Sequence, residues 1–572
     1  MAASARFKRA ISKQLASLIP CSEPELNNLL RIPSQRTECQ FSLSLERLRA
    51  KHPNVATEIS PTTWAAQLAD NFRPDTSIEG ATAVGTQLQF RVRQTEFTKQ
   101  VLSQVYQEHD SYGWAHAKHK GTVVIDYSSP NIAKPFHAGH LRSTILGNFA
   151  KRIHEAMGYR VIGINYLGDW GKQYGLLAVG FERYGDQTLL EKNPIHHLYD
   201  VYVKINQEAK SDPNIHVLAN AYFKRMEQGD HTSLAQWRTL KDMSIASYAS
   251  IYDRLGIRFD AYSGESEVSE YIPKVYELLR ARNLLTRTDD GAYAVDLREH
   301  NLGLPVIQRA DGTSLYITRD LASIIMRKER YGFDKAIYAV GVEQNAYFQQ
   351  VFKIAEMMYD NINLEHLSFG RINGISTRRG TAIFLEDILD AAKDKITQYM
   401  RSDEGRAAVE EQDMDKIADT LGISAILVQD MKSKRTKNYS FSWDRMTDAR
   451  GDTGVFLQYA HARACGIERK ADTPITVECD FSFLEEREAF ELVQTISYFP
   501  DLVDSSFASL EPCTLVNYLF KLSHATSLAS HRLRVKGTEL ELAKARMLLF
   551  WAARKTLSNG LTLLGIRPLE RM

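Results

Sequence analysis

The stretch TVVIDYSSPNIAKPFHAGHLRSTILG, residues 122–147, changes its period halfway. "TVVIDYS" is a short, nearly continuous apolar run, the pattern of a central parallel strand covered on both faces. From His137 onward Leu141, Ile145, Phe149, Ile153 and Met157 recur at helical spacing, and Gly158 supplies a stop. "RVIGINYLG" (160–168) then reads as a second strand. Strand, helix, strand is one βαβ unit, and it predicts a doubly wound α/β domain.

Between the strand and the helix lie Lys134, His137, Gly139 and His140, and three chemistries compete for them. His137 and His140 are three apart and would share a helix face, but zinc asks for at least one more ligand. Neither an H-E-x-x-H pattern nor a Cys/His cluster supplies it, so no protein metal site is expected. A dinucleotide-binding turn would carry G-x-G-x-x-G and a P-loop G-x-x-x-x-G-K-[ST]; both are missing. What remains is a helix N-terminus with free N–H groups and a positive dipole end. A lysine, two imidazoles and a glycine that admits close approach flank it, which suits a phosphate or nucleotide. Either histidine alone would more ordinarily be a capping or core group.

The rest of the chain sets limits. At 572 residues it is long enough for three or four domains, each with its own core. A formal net charge of +1 signals no polyanion partner, so any nucleic-acid contact must use locally gathered charge. Cys21, Cys39, Cys465, Cys479 and Cys513 are scattered without a C-x-x-C pair, which argues for a reducing compartment. No apolar run reaches the roughly 18 residues a bilayer span needs, and no membrane partner is expected. The N-terminus lacks acids and carries Arg6, Lys8, Arg9 and Lys13 like a transit peptide, yet Ile11, Leu15 and Leu18 also fit a first helix.

Residues 1–115 read as a small α+β domain, with a helix near 7–19 and the alternating strand "TQLQFRVR" (86–93). Residues 116–180 form the first half of the α/β domain. Residues 181–285 read as a connective insertion, helical in pattern and without a second parallel strand. "AYAVDL", "PVIQR" and "KAIYAVGV" are expected to resume the sheet near 292–342 within a second half spanning 286–400. Residues 401–572 read as almost wholly helical.

"HAGH" resembles the HIGH box of class I aminoacyl-tRNA synthetases. The longer string from Ser128 to Gly147, followed by "NYLGDWGKQYG" (165–175), resembles the arginyl-tRNA synthetases in particular. The likeness continues at "LYITRD" (315–320), "STRRGT" (376–381), "MKSKRTKNYSFSWDRM" (431–446) and "GDTGVFLQYAHAR" (451–463). It implies a Rossmann-type catalytic domain with doubly wound parallel sheet and an insertion, an N-terminal α+β domain for the tRNA elbow, and an all-α anticodon-binding domain. The implied reaction is arginine–tRNA ligation. L-arginine attacks the α-phosphate of ATP, pyrophosphate leaves, and the arginyl group passes to the 3′ end of tRNA(Arg) for translation. Mg2+ is expected only as the ATP counter-ion. The expected setting is a monomer in the cytoplasm, with a mitochondrial or dual pool as the alternative.

The resemblance also carries residues. His137, His140 and Lys134, with Arg378 and Arg379 of the KMSKS-like loop, are the implied catalytic groups. Ser129, Lys134, His137, Gly139, His140, Ser376, Thr377 and Arg378 are implied for ATP. For arginine the matching positions are Asp126, Asn131, His140, Tyr316, Asp320 and Gln344. A guanidinium is planar and always charged, so a carboxylate is its natural acceptor, and Asp320 is the leading candidate. Gln89, Phe90, Phe456, Tyr459 and Met572 are implied for tRNA. "MKSKR" (431–435) resembles the KMSKS string by eye but lies beyond the α/β domain, so "GISTRRGT" (374–381) is taken as the loop. Tyr347 stands where relatives often carry histidine, and Ile375 and Arg379 where they often carry methionine and lysine.

Overall fold

The computed structural model describes residues 3–32, 39–55, 59–132, 136, 138–373, 384–402, 410–442 and 451–572. Its centre is a five-stranded, all-parallel sheet. From one edge the strands are Leu364–His366, Lys335–Tyr338, Thr122–Asp126, Arg160–Leu167 and Ala261–Gly264. Numbered along the chain this is the order 5-4-1-2-3, and it reverses between Thr122–Asp126 and Lys335–Tyr338. The strand Thr122–Asp126 is covered on both faces, as its apolar run requires. Val123 and Ile125 enter one core with Leu141, Ile145, Phe149 and Ile153 of the helix Ala138–Ala156. Val124 enters another, with Leu321, Ile324 and Ile325 of the helix Tyr316–Tyr331.

The helix Ala138–Ala156 can lie close to the sheet because Gly147 has no side chain: a Cβ there would sit 2.2 Å from Cβ of Tyr127. Gly147→Ala is therefore expected to cost about 1–3 kcal/mol through overpacking, read by chemical denaturation. A variant as stable as its parent would mean that the helix can shift on the sheet freely.

Two expectations are corrected. Ala261–Gly264, inside the stretch read as strandless, pairs in parallel with Ile164–Leu167 and forms the sheet edge. Its sequence AYSG offers no apolar run, because an edge strand of four residues is specified by its neighbour. Conversely, Tyr293–Val295 and Val306–Gln308 do not rejoin the main sheet. With Leu285–Arg287 they make a separate three-stranded antiparallel sheet, and of the three strand-like segments only Lys335–Tyr338 returns to the centre.

The helices between Lys172 and Arg254 enclose an apolar cluster with Leu177, Leu198, Tyr222 and Leu240. They dock onto "LGDWG" through Asp169, which is wholly buried: Lys241 approaches its carboxylate at 2.5 Å and Trp237 donates to its carbonyl at 2.8 Å. The N-terminal part folds as a three-stranded antiparallel sheet with helices, including Ala3–Leu18. Long helices dominate from Leu385 onward. Among the described residues no helix is long and apolar enough to cross a membrane.

Candidate active site

In open α/β sheets ligands bind beyond the carboxyl ends of the strands, where the strand order reverses. Here Asp126 and Tyr338, register partners across that point, both border a cavity of about 420 Å3. Of the residues singled out in the sequence, Asp126, Ser129, Gly139, His140, Asp320 and Gln344 line it. Lys134, His137, Ser376, Thr377, Arg378 and Arg379 lie outside the described residues.

The floor begins with a turn that two serines hold in the left-handed region, Ser128 at φ 73° and Ser129 at φ 49°. Non-glycine residues sit there at a cost of order 1–3 kcal/mol each, sustained only by surrounding bonds. Those bonds are present. The Ser128 amide donates to Oγ of Ser143 at 2.9 Å, and Ser143 donates onward to the Ala339 carbonyl at 2.7 Å. Thr144 donates to Oγ of Ser128, which also meets the Tyr252 hydroxyl at 2.6 Å. The Ser129 amide donates to Oδ1 of Asn165 at 3.1 Å. The end of one central strand, the helix Ala138–Ala156 (the signature helix, since it opens on "HAGH") and the end of the neighbouring strand are thus locked together beneath the cavity.

The two acids differ sharply in how they are satisfied. Asp126 accepts from the Ser129 hydroxyl on Oδ1 at 2.8 Å and from Nη2 of Arg327 on Oδ2 at 2.6 Å. Arg327 is buried, with its guanidinium 5.0 Å from the ring centre of Tyr166 and 5.2 Å from that of Tyr338. Burial alone would weaken its charge, but Asp126 and the two phenols outweigh it and raise its pKa. Asp320, one helical turn from Ile324 on the cavity-facing side of its helix, receives a hydrogen bond on Oδ2 from the Tyr347 hydroxyl. Among the described residues no other hydrogen bond reaches its carboxylate. Burial pushes the Asp320 carboxyl up to about 6, against the opposing pull of Tyr347 and Arg327.

Sequence reasoning missed Arg327 and had no role for Tyr347. Arg327 could have been found: it falls seven residues after Asp320, on the same face, inside the apolar run "LASIIMR".

Other expected residues sit away from the cavity wall. Tyr316 opens its helix with 78% of its surface exposed. Asn131 pairs through its backbone with Gly168, and its carbonyl accepts from the Tyr248 hydroxyl at 3.2 Å. Phe90 is inside the N-terminal core, edge-on to Phe72 at 5.2 Å, so its ring is not available to RNA; strand alternation sends it inward while Gln89 stays half-buried. On the helix Gly454–Ala471, Tyr459 is exposed and Phe456 is half-buried against His524, ring centres 4.7 Å apart. The tail lies along this helix. Gln458 donates to the Arg567 carbonyl at 2.7 Å and accepts from the Leu569 amide at 2.8 Å, and Met572 packs on the core.

A second buried ion pair ties the site to the helical region. Arg142 of the signature helix donates to the carbonyls of Gly370 at 2.6 Å and Lys437 at 2.9 Å. Its Nε lies 3.3 Å from the Asp430 carboxylate, and both side chains are almost completely buried. The Tyr439 ring covers the guanidinium at 5.1 Å, and its hydroxyl donates to Asp430 at 2.9 Å. Alongside, Ile372–Asn373, the residues leading into 374–381, pair in parallel with Tyr439–Ser440. "MKSKR" is accounted for here: Arg435 bonds the Ser368 carbonyl and the Glu511 carboxylate, bracing this junction.

Comparisons with known proteins give the class and then the family. Residues 101–443 match the domain family described as tRNA synthetases class I (R), catalytic domain, and residues 457–572 match the DALR anticodon binding domain. A probable cytoplasmic arginine–tRNA ligase of Dictyostelium discoideum is 42% identical over 99% of this chain and 100% of its own length. A mitochondrial arginine–tRNA ligase of Saccharomyces cerevisiae is 39% identical over 98% of this chain and 88% of its own. The arginyl-tRNA synthetase structure from Thermus thermophilus shares the fold, with a TM-score of 0.80 at 21% identity, covering 95% of this chain and 96% of that one. The chain belongs to the class I arginyl-tRNA synthetase family.

Proposed function

We infer that the cavity at the strand-order reversal takes L-arginine, with its guanidinium against Asp320 and its carboxylate directed toward His140 and the N-terminus of the helix Ala138–Ala156. The enzyme is an arginine–tRNA ligase. The observation that carries the amino-acid assignment is the cavity carboxylate of Asp320, one of whose oxygens is held by a described residue, Tyr347. A substrate guanidinium would supply the missing donors, and a neutral side chain of similar size would leave the acid uncompensated.

The activation step builds negative charge on phosphorus, so catalysis is mainly positioning and fixed positive potential. His140 with His137 and Lys134 on one side, and Arg378 and Arg379 on the other, would hold the ATP phosphates, with Gly139 leaving room for the nucleotide. Magnesium would enter on those phosphates as their counter-ion. Among the described residues Asp126 is held by Ser129 and Arg327 and Glu343 by Arg371, which leaves the phosphate oxygens as the ligands expected for it. The helical region 401–572 would read the anticodon through Phe456, Tyr459 and the tail at Met572, and residues 1–115 would meet the tRNA elbow through Gln89. Relatives from both cytoplasm and mitochondria match this chain. The compartment is read as cytoplasmic, with a mitochondrial or dual pool as the alternative; the cytoplasmic relative matches over its whole length.

The test is tRNA charging with arginine, lysine or glutamine in the presence of ATP and magnesium. Arginine alone is expected to be attached, and ATP–pyrophosphate exchange is expected to need tRNA. Failure with arginine refutes the assignment; exchange at full rate without tRNA refutes the second expectation.

A further inference from the structure

Asp126 and Asp320 share one cavity, yet the protein treats them differently. Both oxygens of Asp126 are engaged, one by Ser129 and one by the buried Arg327, so its charge is neutralised in place. Asp320 meets the Tyr347 hydroxyl through Oδ2 alone. Tyr347 stands in the first turn of the helix Asn345–Met358, half-buried, its ring edge-on to Phe348 with centres 5.8 Å apart at 87°. Phe348 in turn stacks on His366 at 5.1 Å and packs against Tyr338, so the phenol is carried on a braced aromatic layer.

We propose that Tyr347 is a positioning residue of the arginine pocket: its hydroxyl fixes Oδ2 of Asp320 so that Oδ1 is presented to the substrate guanidinium. The proposal rests on the reading of Asp320 given above. It has a chemical consequence specific to a phenol. Burial and the neighbouring Asp320 raise the Tyr347 pKa, so this residue stays a neutral donor at every working pH. An imidazole in the same place would gain a proton near the pH at which Asp320 titrates, and would then set a positive charge facing the substrate. With tyrosine, Asp320 is the member of this pair that titrates on the acid side.

Several titratable and charged groups face Asp320. They are Tyr347, Arg327 on its own helix, Asp126 at the end of the central strand, and the phenols of Tyr166 and Tyr338, with His140 and Glu343 farther along the cavity wall. Arginine pairs with ionised Asp320, whose carboxyl is raised to about 6. So kcat/KM for arginine is full above that value and falls as pH drops through it.

The experiment compares the full-length protein with Tyr347→Phe, Tyr347→His and Asp320→Asn, measuring steady-state charging from pH 5 to 8 and the thermal transition of each. Tyr347→Phe keeps the ring and is expected to fold like its parent. Its arginine KM should rise roughly 10- to 100-fold, the scale of a lost hydrogen bond to a charged group. Its kcat and its KM for ATP should stay within about threefold, the latitude expected if the lost bond acted only on substrate binding. The midpoint of its acid limb should move to higher pH, because the bond that held the Asp320 pKa down is gone. Tyr347→His should add a second ionisation to that limb. A Phe variant with the parent's arginine KM and midpoint overturns the proposal. So does a uniform loss with an unmoved midpoint, the signature of a merely structural role. If Asp320→Asn loses arginine while Tyr347→Phe behaves as the parent, only this inference fails; if Asp320→Asn charges normally, the underlying reading fails.

Discussion

Asp320→Asn is expected to lower kcat/KM for arginine by about 2–4 kcal/mol, roughly 30- to 1000-fold, while leaving the KM for ATP near its original value. The hydrogen-bonding pattern says why an isosteric change does so much. Tyr347 donates to Oδ2, so the asparagine oxygen would stay with the tyrosine. Its NH2 group would then turn into the cavity and oppose the donors of the guanidinium. The loss therefore combines a missing charge with a repulsive pairing, in a wall where burial already lifts the acid to about 6. Steady-state charging with arginine varied at saturating ATP and tRNA measures it. An arginine KM within twofold of the parent's would remove Asp320 as the guanidinium partner.

The second large effect is on stability. Arg142→Met leaves Asp430 buried with Tyr439 as its remaining partner among the described residues, and breaking such a pair costs about 3–5 kcal/mol. The pH dependence follows from the sign of the Asp430 shift. Burial raises this carboxyl to about 6, against the pull of Arg142 and Tyr439, so the folded state binds its proton more tightly than the unfolded chain does. Without Arg142 the carboxyl rises further. The penalty is then largest above that value and shrinks as pH falls, because a neutral acid is cheaper to bury. Denaturation of parent and variant should show a wider gap at pH 8 than at pH 5.5. The double variant Arg142→Met, Asp430→Asn should regain part of the loss at pH 8. A gap that is constant with pH would mean that Asp430 is compensated by something other than Arg142.

The strand–helix–strand unit at 122–167 was legible because a buried parallel strand and a half-buried helix leave different periods, and the structure follows both. The edge strand Ala261–Gly264 was not, since four residues without an apolar run are ordered by pairing and not by their own pattern. The strands at 293–295 and 306–308 were recognisable as strands, but period says nothing about partners, and they built a sheet of their own. In the cavity, Asp126, His140, Asp320 and Gln344 could be picked out because they fall within motif-like strings. Arg327 was signalled only by its helical register with Asp320, and Arg142 by nothing in its own string. An arginine in a helix reads as a solvated residue, and only the fold reveals that Arg327 meets Asp126, 201 residues away, and that Arg142 meets the carbonyls of Gly370 and Lys437, 228 and 295 residues away.

The junction around Arg142 bears on how the molecule can be taken apart. The pairing of Ile372–Asn373 with Tyr439–Ser440 and the Arg142–Asp430 bond both reach across the chain beyond residue 410. A protease or a gene truncation that severed the polypeptide near residue 400 would remove half of a buried ion pair and one strand of a two-stranded ladder. The amino-terminal fragment would keep Arg142 without the carboxylate, the aromatic ring and the Lys437 carbonyl that hold it in the intact chain. A fragment that keeps these contacts has to extend at least through Ser440, so the first forty residues of the helical region brace the helix that borders the cavity.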